Sequence, residues 1–209
     1  KLQVGLYMVD TLEGVIHGDY DNNISKFANW IKNSRTQVFL RIGYEFDGPH
    51  THYDTAQYIL AYKYIVDKFN SFQVDNVFFV WHSYAGYIEG DILRWYPGDD
   101  YVDWMAISYF DPYGVGNMER IVKLAKARNK PFMIAEATPR GYKLSQDNKA
   151  WRLWFEKLFG FIEKYDVKAV SYINTNWEDS PMFRGQGWGD SRVQTNEEIK
   201  GKWLAEVRK

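Results

Sequence analysis

Six short runs of this sequence are apolar at almost every position, and each is separated from the next by a stretch patterned for helix. The runs are Leu2–Met8, Gln37–Gly43, Asn76–His82, Asp103–Ser108, Pro131–Glu136 and Lys168–Ile173. Near-continuous hydrophobicity over so few residues predicts strands buried on both faces, as in parallel sheets covered by helices. Between them, Ile24–Lys32, Asp54–Phe69, Asn117–Arg128, Asn148–Tyr165 and Thr195–Val207 carry apolar residues at helical spacing, and Asp54 stands where an N-cap is expected. A βα repeat without linker or low-complexity segment leaves two architectures, a doubly wound sheet or a closed barrel. No G-x-G-x-x-G turn follows any strand, which disfavours the nucleotide-binding sheet. Polar and aromatic residues crowd the C-terminal strand ends, where barrel enzymes keep their chemistry. The expectation is an α/β fold of the (β/α)8 TIM-barrel type. About six of the eight βα units are present, because closure needs eight strands and six are readable. The chain opens directly on a strand, so the first two units are expected to be the missing ones.

Composition narrows the function. A net charge of −1 over 209 residues gives no field to recruit nucleic acid or an acidic membrane surface. No apolar run approaches the roughly 18 residues of a membrane span, and the absence of cysteine excludes disulfides and thiolate–metal sites. Of the 9 Trp, 16 Tyr and 13 Phe a core can absorb at least half, and the remainder suit stacking against flat, weakly charged ligands such as sugars.

Two glutamates interrupt apolar runs at the same kind of place. Glu45 follows VFLRIGY after the second strand, and Glu136 ends FMIAE in the fifth. A carboxylate in such a position is paired, solvated in a cleft, or functional; pairing with Arg41 or Arg140 is the structural alternative. Glycoside hydrolysis uses two carboxyl groups, one to protonate the leaving oxygen and one to attack or to activate water.

The surrounding segments resemble glycoside hydrolase family 26, among the clan A barrels. RIGYEFDG at Arg41–Gly48 resembles the family's acid/base segment, and FFVWHSY at Phe78–Tyr84 its next strand. YPGDDYVDW at Tyr96–Trp104, with the MAISY that follows, and PFMIAE at Pro131–Glu136 resemble its sixth and seventh strands. The resemblance implies that residues 1–209 form one catalytic (β/α) barrel domain, N-terminally incomplete. It implies a retaining hydrolase of β-linked polysaccharide (β-mannan, β-1,3-xylan or β-glucan) acting by double displacement without a cofactor. Glu45 would be the acid/base, Glu136 the nucleophile, and Tyr109 a hydrogen-bond donor to Glu136. Tyr44, His50, Trp81, His82, Trp177 and Trp188 would bind substrate, with Trp177 the ring beneath the reactive sugar. For Trp177, Trp81 and His82, packing in the core is the alternative, and for Trp188 it is a loop packed on the barrel rim.

The chain departs from the usual mannanase pattern at Tyr44, Asp47 and His50, where His, Asn and Trp are usual, and this weakens mannan as substrate. The competing reading from another class is a non-catalytic carbohydrate-binding protein on a degenerate barrel; a phosphate-handling barrel lacks its glycine cradle. His17, His50 and His52 lie among loop aspartates without a metal-ligand spacing, so no metal is expected. Asp99, Asp100 and Asp103 are expected to be structural. Arg184 joins Trp188 as a candidate substrate contact in a loop expected to fold over the cleft. Expected partners are a polysaccharide or oligosaccharide and a separate N-terminal fragment completing the barrel, with no nucleic acid or membrane; the expected location is secreted or periplasmic.

Overall fold

Each of the six apolar runs forms a strand. The structure, a computed structural model, describes residues 1–86 and 90–209. In chain order the elements are β1 (Leu2–Leu6), α1 (Leu12–His17), α2 (Asp21–Ser34), β2 (Val38–Ile42), α3 (Thr55–Ser71), β3 (Val77–Ser83), β4 (Trp104–Tyr109), α4 (Val115–Ala127), β5 (Phe132–Ala137) and β6 (Tyr142–Lys143). A π-helical turn at Trp151–Phe155 then leads into α5 (Glu156–Tyr165), followed by β7 (Ala169–Tyr172), β8 (Gly189–Asp190) and α6 (Glu197–Glu206). The large sheet has the order β1-β2-β3-β4-β5-β7, and its strands are parallel. The register pairs Leu2 with Val38, Val38 with Val77, and Val80 with Trp104.

That order answers the question the sequence leaves open. A doubly wound sheet reverses its strand order at a switch point, whereas here every strand lies beside the one before it. The winding is that of a (β/α) barrel, with six strands of the TIM-barrel type.

Two compact units divide the chain, one comprising residues 1–107 and 116–133 and the other 108–115 and 134–209. In the first, every residue of β2 is buried. Helix α3 packs with Tyr58, Ala61, Tyr62, Ile65, Val66 and Phe69 inward, a spacing of three and four residues. It starts where Asp54 accepts a hydrogen bond from the Gln57 amide at 2.9 Å, a cap worth about 1 kcal/mol. Asn76 ties the end of α2 to the start of β3 by donating to the carbonyls of Ile31 and Thr36, at 2.7 and 3.0 Å. The expected structural role of the PGDDYVD acids holds for two of them. Asp99 accepts from Tyr96 and Arg128, which hold its carboxyl below the usual range, and Asp103 accepts from the Phe79 amide.

In the second unit the π-turn brings Trp154 wholly inside, where its indole N–H donates to the Phe110 carbonyl at 3.1 Å. Trp203 from α6 closes on Tyr172 of β7 at 4.7 Å. The two-residue strands β6 and β8 pair in parallel, and this clips the Trp177–Gly189 loop to the segment following β5. Gly189 is indispensable to that clip. Its φ is +85°, and a Cβ there would lie 2.1 Å from the Tyr142 carbonyl oxygen. Gly189→Ala is therefore expected to lower unfolding stability by about 2 kcal/mol or more. A chemical-denaturation midpoint equal to that of the parent protein would contradict this close approach.

Two expectations are corrected. Strands β1 and β7 are not buried on both faces: β1 is half-exposed along its length, and Val170 of β7 is exposed. They are the outer strands of the sheet order, so among the described residues each is flanked by a neighbouring strand on one side only. Helix α1 was not anticipated, because only Leu12 and Val15 of its six residues are buried and the pattern is too short to register.

Candidate active site

In the first unit the chain leaves β2 through a sharp turn built on two left-handed residues, Gly43 and Glu45, each with φ +54°. At Gly43 any side chain would meet Met8 and Tyr58 at under 3 Å. Glu45 is a different matter, since a non-glycine residue in this region is uncommon and costs roughly 1–3 kcal/mol. Such strain persists where the surroundings over-determine it, and here they do. The Gly48 amide donates to the Glu45 carbonyl at 2.7 Å, and Thr51 Oγ1 donates to the carbonyls of Phe46 and Gly48. Asp47 accepts from Ser83 Oγ at 2.7 Å and from the Tyr84 amide at 2.6 Å. Burial nevertheless raises its carboxyl above the usual range, with those hydrogen bonds pulling the other way.

The turn presents the Glu45 side chain at 7% exposure with Oε2 3.0 Å from His50 Nε2. The His50 ring meets Tyr84 edge-on at 5.9 Å. Arg41, on β2 itself, places Nη1 3.3 Å from His82 Nδ1 and its guanidinium 4.8 Å over the Tyr44 ring, which also stacks near His82. His82 is fully buried. Burial, then the Arg41 charge, hold its pKa far below the ordinary value, so the ring is neutral and Nδ1 accepts from Arg41. Trp81 is also fully buried, stacked on Phe46 at 4.6 Å, with its N–H satisfied by the Trp95 carbonyl. These contacts fit the packing alternative for Trp81. His17 and His52 are exposed loop or helix-end residues, and among the described residues no group of three or more His, Cys, Asp or Glu is placed to hold a metal ion.

In the second unit Glu136 occupies the penultimate position of β5 and is half-buried between Ala135 and Ala137, which are wholly inaccessible. The strand end is held on one side by the Thr138 amide donating to Tyr109 and on the other by the Ile173 amide donating to Ala137. Tyr109 is buried against Trp154 and Phe161, both at 5.6 Å between ring centres. Burial and the Asp111 carboxylate push its hydroxyl well above the ordinary phenol range. The side chain lies against the α5 segment and supports the strand end from behind.

Trp177 follows β7 and is fixed by its indole N–H donating to Thr138 Oγ1 at 3.2 Å. Trp188 and Phe183 flank it at 4.8 and 4.7 Å, and Arg140 covers Trp188 at 4.5 Å. The result is an aromatic cluster held beside the end of β5. Arg184 donates to the Glu178 carbonyl and so braces its own loop.

A singly wound parallel sheet, with Glu45 just after its second strand and Glu136 near the end of its fifth, is the strand arrangement of the (β/α) barrels. The chain belongs to glycosyl hydrolase family 26, whose model matches residues 6–184. A β-1,3-xylanase of Vibrio sp. is 32% identical over 97% of this chain and 50% of its own length. A β-1,3-xylanase of Alcaligenes sp. is 31% identical over 97% of this chain and 49% of its own. The chain thus spans about half the length of the curated relatives it matches. Among solved structures, a double mutant of the Cellulomonas fimi endo-β-1,4-mannanase superposes with a TM-score of 0.72 at 16% identity, covering 98% of this chain and 53% of that one. A likeness at that identity bears on fold alone.

Proposed function

We propose that the protein is a retaining endo-β-glycanase with Glu45 as acid/base and Glu136 as nucleophile, and that its substrate is β-1,3-xylan. The observation that carries this is the position of the two glutamates. Each stands at the C-terminal end of a parallel strand within the segment matched by the family model, and one of them holds a strained backbone to be there. Glu45 protonates the glycosidic oxygen as the Glu136 carboxylate attacks the anomeric carbon. Water, deprotonated by Glu45, then opens the glycosyl ester from the face the leaving group vacated. Such chemistry requires the two carboxyl groups about 5–5.5 Å apart. Trp177, with Trp188 beside it, would offer the reactive sugar an aromatic face, and Tyr44 a ring near the acid. Tyr109 as hydrogen-bond donor to Glu136 and His82 in the neighbouring subsite belong to the same proposal.

The names of the two relatives support β-1,3-xylan over β-mannan or β-glucan, as do Tyr44, Asp47 and His50 in place of the mannanase pattern. The protein is proposed to act outside the cell or in the periplasm. The outer strand β1 and an apolar recess of about 290 Å³ beside it, lined by Leu6, Met8, Val15, Ile24 and Phe27 among others, support the proposal of a separate N-terminal fragment as a partner that completes the barrel. The full-length protein, incubated with β-1,3-xylan, β-mannan and mixed-linkage β-glucan, is expected to release reducing ends fastest from β-1,3-xylan. Proton NMR of the first minutes should show the β anomer, drifting toward α only by mutarotation. An α anomer at the earliest times rules out retention, and binding without release of reducing ends from any polymer favours a carbohydrate-binding protein.

A further inference from the structure

We infer that His50 is a positioning residue for the acid/base: its imidazole N–H holds Oε2 of Glu45 and so assigns the acid proton to the other carboxyl oxygen. This rests on Glu45 being the acid/base. The ring is brought to the carboxyl by a built arrangement rather than by chance contact. Nε2 lies 3.0 Å from Oε2. Gly48, two residues earlier, leaves the necessary space, since a Cβ there would stand 2.6 Å from His50 Cε1 and 2.9 Å from Nδ1. The same Gly48 donates its amide to the Glu45 carbonyl, so one glycine both closes the turn and admits the ring. Tyr84 fixes the ring edge-on from β3's end, and its own amide is pinned to Asp47.

The chemical consequence follows from what a carboxyl group can do. An ionised carboxylate only accepts hydrogen bonds, whereas a carboxylic acid carries one O–H and one carbonyl-like oxygen. With the His50 N–H directed at Oε2, that oxygen remains an acceptor in both states, and the proton resides on Oε1. In glycosylation Oε1 gives its proton to the leaving oxygen as the C–O bond breaks and its electron pair passes to that oxygen. In deglycosylation Oε1 receives a proton from the attacking water. His50 gains and loses no proton in either step. Its contribution is to keep the transferable proton on a single oxygen, and the effect of misplacing a reacting group is large.

The test compares wild type, His50→Ala, His50→Gln and Glu45→Ala in the full-length protein on two substrates. β-1,3-Xylan has a leaving group that needs protonation; 2,4-dinitrophenyl β-1,3-xylobioside has one that does not. His50→Ala is expected to lower kcat on xylan about 10- to 100-fold with KM within about twofold, while the burst rate of dinitrophenolate release stays within about threefold. His50→Gln, whose amide N–H can reach Oε2, should restore kcat to within about threefold of wild type. His50 is 43% exposed in its side chain, so neither change threatens the fold. Equal losses on both substrates, no loss on either, or a raised KM with kcat unchanged would each overturn the inference. If Glu45→Ala separates the two substrates and His50→Ala does not, only the role of His50 falls. If Glu45→Ala itself fails to separate them, Glu45 is not the acid and both conclusions fall together.

Discussion

Glu136→Ala is expected to reduce turnover of β-1,3-xylan by about 10⁴-fold or more while leaving the fold and polymer binding in place. The fold is safe because β5 already carries alanine on both sides of this position, and those alanines, unlike Glu136, are wholly inaccessible. Removing a half-buried carboxylate relieves a desolvation cost and opens no cavity in the apolar core. On the proposed mechanism, what disappears is the atom that forms the covalent ester, and with it the route that avoids a free oxocarbenium ion. Azide should restore part of the rate by entering the vacated space and attacking the anomeric carbon from that side. Since this is one displacement instead of two, the product is the α-glycosyl azide. Mass spectrometry and NMR of the azide adduct decide the matter. Undiminished turnover, or a β azide, removes Glu136 from the role of nucleophile.

Much of this is legible in the sequence. All six strands could be found because an element buried on both faces must be apolar throughout. Both glutamates stood out because a charge at the end of such a run has to be accounted for. The same rule also misled. It gave β1 and β7 the same burial as β2, since hydrophobicity alone does not say which strand will lie outermost. For the same reason Trp81 reads equally as a sugar platform or a core ring, and its stacking on Phe46 and bond to the Trp95 carbonyl are invisible in the sequence. Tyr109 is legible as a residue at a strand end, but its packing against Trp154 and Phe161 is not, since those rings come from segments far along the chain. The left-handed backbone at Glu45 left no trace in composition, because glutamate is a residue no turn rule would place there. The contact of His50 with Glu45 had one available signal, the glycine two positions before it, which marks a place where something approaches closely.

Glu45→Ala should separate the two half-reactions that Glu136→Ala merges. On β-1,3-xylan the loss is expected to be on the order of 10²- to 10⁴-fold, the usual range for a general acid. On the dinitrophenyl substrate the burst should survive and the following steady state should slow, because the ester forms without an acid but water is no longer deprotonated. Azide needs no base, so it should restore the slow phase by attacking the ester from the face the leaving group vacated, giving the β-glycosyl azide. Opposite anomers from the two variants would then assign each carboxylate to its own face of the sugar, which loss of activity alone cannot do. The backbone supplies an independent check. Alanine at φ +54° keeps the strain that glutamate bears, and glycine releases it. Glu45→Gly is therefore expected to be the more stable of the two inactive variants, by about 1 kcal/mol. Equal denaturation midpoints would mean that the turn holds Glu45 without strain, and the case for a residue retained there against its backbone preference would have to rest on chemistry alone.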